Sequence, residues 1–383
     1  MGDSVRPDWS GRLRRVWRTI PPAASEISAL VVSTPTNIRY LCGFDGSAGL
    51  LVTCPGLREP DAWLIVDGRY EQASRQALAD DSLGPVRIRA VTGSFHRGLV
   101  DLLAGLAPGP VGFEAEHVSV ATLEAWEGAC PDRTFIDTAR WIEALRLIKD
   151  PFELEALSRV CSRVASVARE LVNWVRAGRT EAEIAADIDT AMRRAGCARP
   201  AFETIVASGP NSALPHARPT DRRLSQGDLV VLDFGGVLDG YCGDLTRMAG
   251  VGRVKAEARS LFEAVRAAHG AALAAVRAEA LASEVDAAAR RVLTTHGFGD
   301  AILHATGHGL GMDVHEAPRL GRPGSDAPMP SDNPDRLEAG MVCTIEPGAY
   351  VAGVGGVRLE DDVVVTTGGC EVLTDAPRDL LSV

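Results

Sequence analysis

The sequence has no closely spaced cysteines, no long apolar run and no excess of basic residues. Its eight cysteines never reach C-x-x-C spacing, so a zinc ribbon or a redox-active cysteine pair is not supported. An uninterrupted apolar stretch of about 18 residues, the minimum for a membrane span, does not occur. The 51 acidic residues exceed the 40 basic ones, for a net charge of −11. That charge argues against nucleic acid or an anionic membrane as a general partner.

The first residues of the sequence are not expected to form a secretory leader. Arg12, Arg14, Arg15 and Arg18 are not followed by an apolar core of signal-peptide length. Scattered cysteines in a chain of this size are typical of reduced, buried thiols. Both features predict a cytoplasmic protein.

The length of 383 residues, 46% of them hydrophobic, favours two domains over one. From residue 28 to residue 114, short apolar runs alternate with turn signals and helical stretches. Such alternation indicates an α/β domain with a mixed or parallel sheet. We therefore predict an α/β two-domain protein, with an N-terminal α/β domain over 1–145 and a second domain over 146–383.

The second domain is predicted to begin with a long helix. Asp150, Pro151 and Glu153 are an N-cap, a first-turn proline and a capping-box partner for a helix reaching about Arg176. Thr180 begins the next helix in the same way. Two alanine-rich helices follow at roughly 255–279 and 284–296, and each helix pair precedes a strand-rich stretch. The order indicates an internal structural duplication, although no repeat is visible in residue identity.

Two acidic residues lie on the arms of a predicted hairpin. Asp233 follows the apolar run 229–232, and Asp244 comes after a turn at Asp239-Gly240. If the two arms pair, the carboxylates can face each other and share a cation. A purely structural role, capping the turn, is assigned to Asp239 but not to Asp233 and Asp244.

Histidines cluster in a glycine-rich segment further along the chain. His304, His308 and His315 fall within twelve residues, although the chain has only eight histidines. Glycines allow the backbone to approach a bound group closely. The segment lacks the Lys-Ser/Thr ending of a P-loop, and Arg319 stands where H-E-x-x-H would need its second histidine.

Two further acids follow in strand-like segments. Glu346 ends the run 342–345, and Glu360 lies two residues after Arg358. On a strand this spacing places Arg358 and Glu360 on one face, so the cation can balance charge or bind an anionic substrate group.

Gathering these acids away from water requires positive charge. Isolated buried carboxylates cost several kcal/mol each, and a cluster adds mutual repulsion. The candidate ligands suit two divalent cations better than one, which predicts a two-metal hydrolase; they are Asp233, Asp244, His308, Glu346 and Glu360. Oxygen-rich ligation with one imidazole favours manganese, with cobalt or zinc as alternatives.

The five positions resemble the metal ligands of the pita-bread metallopeptidases, the aminopeptidase P and prolidase family. The matching frames are G-H-G-x-G around His308, T-I-E-P-G around Glu346 and G-V-R-x-E-D around Glu360. The resemblance implies a creatinase-like N-terminal α/β domain followed by a pita-bread catalytic domain, a duplicated α+β fold. It also implies that Asp233 chelates one metal, that Asp244 and Glu360 bridge, and that His308 and Glu346 complete the second. Creatinase shares this architecture without these ligands.

Substrate-side residues are carried over from the same resemblance. His216, at the end of the matching segment 202–216, and His315 are implied to contact the substrate, and His304 to border the proline pocket. Arg358 and Tyr350 match residues that the family places near the metals. Together with Glu346 as proton relay, His216, His315 and Arg358 form the predicted catalytic set.

The implied reaction is hydrolysis of the bond between an N-terminal residue and proline by a metal-bridging hydroxide. Segments 37–49 and 67–70 resemble the aminopeptidase P amino domain, so we predict an Xaa-Pro aminopeptidase acting on small peptides with proline second. An Xaa-Pro dipeptidase restricted to dipeptides is the alternative, and a non-catalytic binding protein on the same fold stays open. The family also implies a homodimer arranged through the amino domains.

Overall fold

The computed structural model describes residues 6–19, 26–56, 61–138, 140–322 and 335–383. The chain divides into two units, Met1–Arg146 and Leu147–Val383. In the described ranges, no helix has the length and apolar character needed to cross a membrane.

The N-terminal unit alternates strands and helices, as its sequence pattern predicts. The elements in its described residues are α1 (Trp9–Arg18), β1 (Ala29–Val32), α2 (Pro35–Cys42), β2 (Leu50–Cys54), β3 (Asp61–Asp67), α3 (Glu71–Ala79), β4 (Arg87–Val91), α4 (Phe95–Leu103), β5 (Val111–Phe113), α5 (Val120–Ala129), β6 (Phe135–Asp137) and α6 (Trp141–Arg146). The strands form one sheet in the order β4-β3-β2-β1-β5-β6. Because β1 pairs antiparallel with β2 and parallel with β5, the sheet is mixed.

The second unit repeats a pattern of two helices followed by strands. Its described elements are α7 (Pro151–Glu170), α8 (Glu181–Arg194), β7 (Arg199–Pro200), β8 (Ile205–Ser208), β9 (Leu229–Leu238), β10 (Tyr241–Gly250), α9 (Ala256–Ala275), α10 (Ala282–Thr295), β11 (Gly307–Gly309), β12 (Glu316–Leu320), β13 (Val342–Ile345), β14 (Gly348–Val351), β15 (Gly355–Arg358), β16 (Asp361–Val365), β17 (Cys370–Val372) and β18 (Leu381–Ser382). This order is the predicted duplicated α+β arrangement.

The strands of the second unit form two main sheets and a ribbon. One sheet runs β18-β10-β9-β7, with β8 also paired to β9, and the other runs β12-β11-β13-β16-β17. β14 and β15 pair with each other. Helix α7 packs on β9 and β10, whereas α9 packs on β13, β14 and β15. The core on the α9 side includes Leu261, Phe262, Ile345 and Val357, which are completely or almost completely buried.

The predicted helix starts are present, but two predicted helix ends are wrong. Both capping boxes form, at Asp150 with Glu153 and at Thr180 with Glu183. Helix α7 ends at Glu170 instead of about Arg176, because its last turn tightens into a 3₁₀ turn over Leu171–Asn173.

Helix α9 ends at Ala275 instead of about residue 279. The backbone N–H groups of Ala278 and Glu279 bond to the carbonyls of Thr366 and Leu337 rather than to the preceding helical turn. Pairing with distant segments therefore competes successfully with the alanine-rich local preference for helix.

Candidate metal centre

The hairpin of β9 and β10 turns where the sequence predicts. Asp239 and Gly240 form a two-residue turn with φ of +52° and +86°, the conformation that matches strand twist in a tight hairpin. Pairing runs from Leu238 opposite Tyr241 to Leu229 opposite Gly250. The register is therefore continuous through both acidic positions.

Asp233 and Asp244 share a face of this hairpin but are not directly opposite each other. Asp233 pairs with Thr246, and Asp244 pairs with Gly235. Because Asp244 and Thr246 are two apart on one strand, both acids project from the same face, on a diagonal. The expectation that the two carboxylates face each other directly is wrong, because Asp244 lies two residues away from the position opposite Asp233. Thr246 occupies that opposite position.

The second sheet supplies the other three predicted ligands. His308 lies in β11, Glu346 follows β13, and Glu360 lies between β15 and β16. His308 Nε2 is 4.0 Å from Asp244 Oδ2 and 3.5 Å from Glu346 Oε1. Asp244, His308 and Glu360 each offer one ligand atom within 4.8 Å of the others. The duplicated halves of the unit thus bring their acids together.

The carboxylates of this cluster are strongly buried. Asp233, Asp244 and Glu360 are 8%, 4% and 2% exposed. Burial, followed by the charges of Asp233, Asp362 and Glu346, raises the pKa of Asp244 well above its usual value. Burial and the charges of Asp244 and Glu346 do the same to the pKa of Glu360. Without a cation, burial therefore favours the protonated forms of Asp244 and Glu360.

The imidazole of His308 is oriented as a metal ligand needs. Its Nδ1 lies 3.0 Å from the carbonyl oxygen of Gly309, which can only accept, so Nδ1 carries the proton. Nε2 then presents a lone pair towards carboxylate oxygens, a repulsive arrangement unless a cation lies between them. Burial, and secondly His315, lower the pKa of His308 to about 3, so the ring is neutral.

One carboxylate oxygen of Asp244 has a free position that a cation could occupy. Asp244 Oδ1 is buried and has no hydrogen-bond partner among the described residues. A buried carboxylate oxygen without a partner is costly. Together with the lone pair of His308, it points to a ligand of positive charge. These residues therefore fit divalent cations of oxygen and imidazole preference.

Arg358 balances the Asp233 side of the cluster. Its Nη2 bonds to Asp233 Oδ2, and its Nε donates to Thr246 Oγ1 at 3.2 Å. The Thr246 hydroxyl in turn donates to Glu360 Oε2 at 2.6 Å. Thr246 thereby links the guanidinium to a candidate ligand from the other half of the fold.

Tyr350 and His304 extend this series of hydrogen bonds away from the carboxylates. Arg358 Nη1 donates to the Tyr350 hydroxyl at 2.5 Å. His304 Nδ1 donates to the Ala305 carbonyl at 2.8 Å, so Nε2 accepts from Tyr350, 2.9 Å away. Burial raises the pKa of Tyr350 to about 12 and lowers that of His304 to about 4. The hydrogen bonds therefore all run in one direction: Arg358 donates to Tyr350, and Tyr350 donates to His304.

The two remaining predicted histidines lie on the solvent side. His216 and His315 are both exposed. The rings of His308 and His315 meet edge to face, with centroids 4.4 Å apart. Burial and then the charge of His216 lower the pKa of His315. The two imidazoles are therefore near enough for their charges to interact.

Three supporting residues were missed in the sequence. Thr246 shares a face with Asp244, and strand spacing from Asp244 could have indicated it. Thr344 Oγ1 accepts from the His308 backbone N–H at 3.1 Å, and Asp362 Oδ2 accepts from the Asp244 N–H at 2.9 Å. Asp362 follows two other acids, and nothing in that run distinguishes its role.

Family models match almost the whole chain. Residues 155–367 match metallopeptidase family M24, and residues 22–148 match the creatinase/prolidase N-terminal domain. The chain belongs to metallopeptidase family M24. The predicted family and two-domain fold are thereby confirmed, and the M24 chain is a metal-dependent hydrolase.

Relatives and solved structures are similar to this M24 chain over more than nine-tenths of its length. It is 30% identical to the Xaa-Pro dipeptidase of Pyrococcus horikoshii, over 93% of this chain and 95% of that protein. An Xaa-Pro dipeptidase structure from Bacillus anthracis is similar with a TM-score of 0.86 and 32% identity, covering 98% and 99%. An X-Pro aminopeptidase structure from Thermotoga maritima gives 0.84 and 31%, covering 96% and 100%.

Proposed function

We propose that this M24 peptidase hydrolyses the peptide bond between an N-terminal residue and proline, using two divalent cations. The cations would be held by the predicted ligand set of Asp233, Asp244, His308, Glu346 and Glu360. The observation that carries the proposal is the buried convergence of Asp244, His308 and Glu360 within 4.8 Å. When bound, such cations lower the pKa of a coordinated water towards neutrality and polarise a carbonyl.

The chain's own groups can divide the remaining work. Glu346, half-buried and 3.5 Å from His308, can accept a proton from the attacking water and return it to the departing proline nitrogen. His216 and His315, on the solvent side, can donate N–H groups to the carbonyl oxygen as charge develops there. Arg358 holds Asp233 and, through Tyr350, His304, so it fixes the wall of the site.

Dipeptides are the proposed preferred substrates. Support comes from the relatives, because the P. horikoshii protein and the B. anthracis structure are both Xaa-Pro dipeptidases. An Xaa-Pro aminopeptidase, which the sequence predicts, is the second candidate, because the T. maritima X-Pro aminopeptidase structure covers 96% of this chain. Manganese, a homodimer and a cytoplasmic location stay predictions.

A substrate-length comparison tests the proposal. Protein stripped of metal and reloaded with Mn²⁺ is assayed on an Xaa-Pro dipeptide and on the matching Xaa-Pro-Xaa tripeptide. The proposal expects cleavage of the dipeptide with the higher kcat/KM. Faster turnover of the tripeptide would establish the aminopeptidase, and cleavage of neither with any divalent cation would contradict proline-directed hydrolysis.

A further inference from the structure

Glu181 is a buried carboxylate outside the metal centre that the proposed reaction does not use. It is the first residue of α8 and is 0% exposed. The capping box of this helix is formed by Thr180 and Glu183, so Glu181 is not needed for it. A fully buried carboxylate is expensive unless its oxygens receive hydrogen bonds. Its partners therefore indicate what it does.

Both oxygens of Glu181 bond to one loop, at its two ends. Oε1 accepts from the backbone N–H and the hydroxyl of Ser208, each at 2.7 Å. Oε2 accepts from the backbone N–H of Thr220 at 3.1 Å and from its hydroxyl at 2.6 Å. The side-chain amide of Asn211 lies within 3.1 Å of both oxygens. A single carboxylate thus closes the loop 208–220.

His216 lies inside this closed loop. Its ring makes no hydrogen bond to any residue in the described ranges, and it is exposed. The position of the imidazole therefore depends on the backbone that carries it. That backbone touches the metal centre nearby, because the carbonyl of Pro215 accepts from Arg358 Nη1 at 3.2 Å.

The first turn of α8 reinforces the closure. The backbone N–H groups of Glu181 and Ala182 donate to the carbonyls of Arg222 and Thr220, both at 3.1 Å. Arg222 also donates to the Ser208 hydroxyl at 2.6 Å and pairs with Asp228. The loop is consequently tied at both ends by α8 and Arg222, and next to the histidine by the Pro215 carbonyl.

We propose that Glu181 is a positioning residue for His216: by closing the loop 208–220 it sets where the imidazole stands relative to the metal centre. This inference rests on the proposed function, in which His216 contacts the substrate. A misplacement of about 1 Å can cost about a hundredfold in rate. Glu181 therefore acts on turnover without touching substrate or metal.

Glu181→Gln is the primary variant because it preserves shape. An amide has one acceptor oxygen, so its NH₂ group must face the donors at one end of the loop. We expect kcat/KM for an Xaa-Pro dipeptide to fall about 10- to 100-fold, mostly in kcat, with metal content unchanged. Glu181→Asp keeps the charge but is too short to reach both ends, so it should behave like the amide.

A double-mutant cycle with His216→Ala separates positioning from general damage. In the His216→Ala background, Glu181→Gln should lower kcat/KM by less than about twofold, because the group it positions is absent. Equal losses in both backgrounds would overturn the proposal, as would loss of metal or wild-type activity in Glu181→Gln. Absence of activity in the wild-type protein would instead reject the proposed function.

Glu153→Gln is the matched control. Glu153 is also buried, at 1% exposure, and belongs to the cap of α7. It should leave kcat/KM within about twofold of wild type when folded protein is compared. If Glu181→Gln fails to fold, Thr220→Val removes one end's hydroxyl donor and is carried through the same cycle. Additivity in that cycle would equally overturn the proposal.

Discussion

Asp244 is the residue on which the proposed metal centre depends most. Its carboxylate is buried, lies near His308 and Glu360, and has one oxygen without a partner in the described residues. Burial, and then the surrounding acids, raise its pKa, so the fold disfavours the charge unless a cation is bound. This destabilisation of a proposed ligand in the metal-free state supports a role in holding metal rather than in stabilising the fold.

Replacing Asp244 by Asn should remove metal and activity together. The amide is neutral and cannot bridge two cations, so we expect Mn²⁺ content to fall by at least one equivalent. We expect kcat to drop by about three orders of magnitude or more. Plasma emission spectrometry and a dipeptide assay measure both. Retention of more than about a tenth of wild-type kcat would contradict a bridging role.

Asp239→Asn is the matched control in the same hairpin. Asp239 is in the turn, with φ of +52°, a conformation that Asn also tolerates. Its ion pair with Arg159 is exposed on both sides, so its loss should cost less than about 1 kcal/mol. Metal content and turnover should stay at wild-type values.

Close backbone packing of the strands fixes the position of the proposed ligand His308. A Cβ added at Gly309 would lie 2.0 Å from the carbonyl oxygen of Ala317, on the neighbouring strand β12. Because a backbone carbonyl cannot move aside as a flexible side chain can, only glycine fits at position 309 of β11. Gly309 also supplies the carbonyl that fixes the His308 tautomer. The glycine frame around His308 is thus a packing requirement as well as a motif.

Gly309→Ala should therefore weaken metal binding by displacing β11. We expect Mn²⁺ affinity to fall by about tenfold or more, as for loss of a residue that orients a ligand. Isothermal titration calorimetry measures it. Gly270→Ala, on the exposed face of α9 with no atom within 4 Å of the added Cβ, is the control. It should keep affinity and stabilise the fold by up to about 1 kcal/mol.

Local features were predictable from the sequence, and long-range pairings were not. The capping boxes at Asp150 and Thr180 and the turn at Asp239-Gly240 depend on neighbouring residues only, so they were found. The end of α9 depends on bonds to Thr366 and Leu337. The pairing of Asp233 with Thr246 depends on strand register. The hydrogen bonds from Thr246 to Glu360 and from Asp244 to Asp362 join distant segments. Strand spacing can place Thr246 on the face of Asp244, but one sequence contains no signal of these long-range contacts.

The two units of the chain differ in whether they contain residues of the proposed site. All predicted ligands and substrate-side residues fall in Leu147–Val383, whereas Met1–Arg146 contributes a mixed α/β sheet. We propose that the predicted domains, 1–145 and 146–383, correspond to these units. The choice between dipeptides and longer peptides stays open to the substrate-length assay.

Without bound metal, the stability of the protein should depend on pH in a defined way. Burial raises the pKa of Glu346 from 4.5 to about 7, and the pKa values of Asp244 and Glu360 are also raised. Between the unfolded and folded pKa values, the folded metal-free protein binds more protons than the unfolded chain. Its stability therefore falls as pH rises through this interval.

Mn²⁺ should reverse that loss, because it replaces the protons. We expect the difference in unfolding free energy between Mn²⁺-loaded and metal-free protein to grow from about pH 4.5 to about pH 7. Urea denaturation at a series of pH values measures it. Asp244→Asn should show little stabilisation by Mn²⁺ at any pH. A difference that is constant across the interval would contradict the proton–metal exchange.

Anomalous diffraction at the manganese edge, from crystals soaked in Mn²⁺, tests the central claim most directly. We predict two peaks within ligand distance of the cluster, with Asp244 and Glu360 contacting both and His308 contacting one through Nε2. A pocket without anomalous density, in protein that still cleaves an Xaa-Pro dipeptide, would contradict the two-metal account.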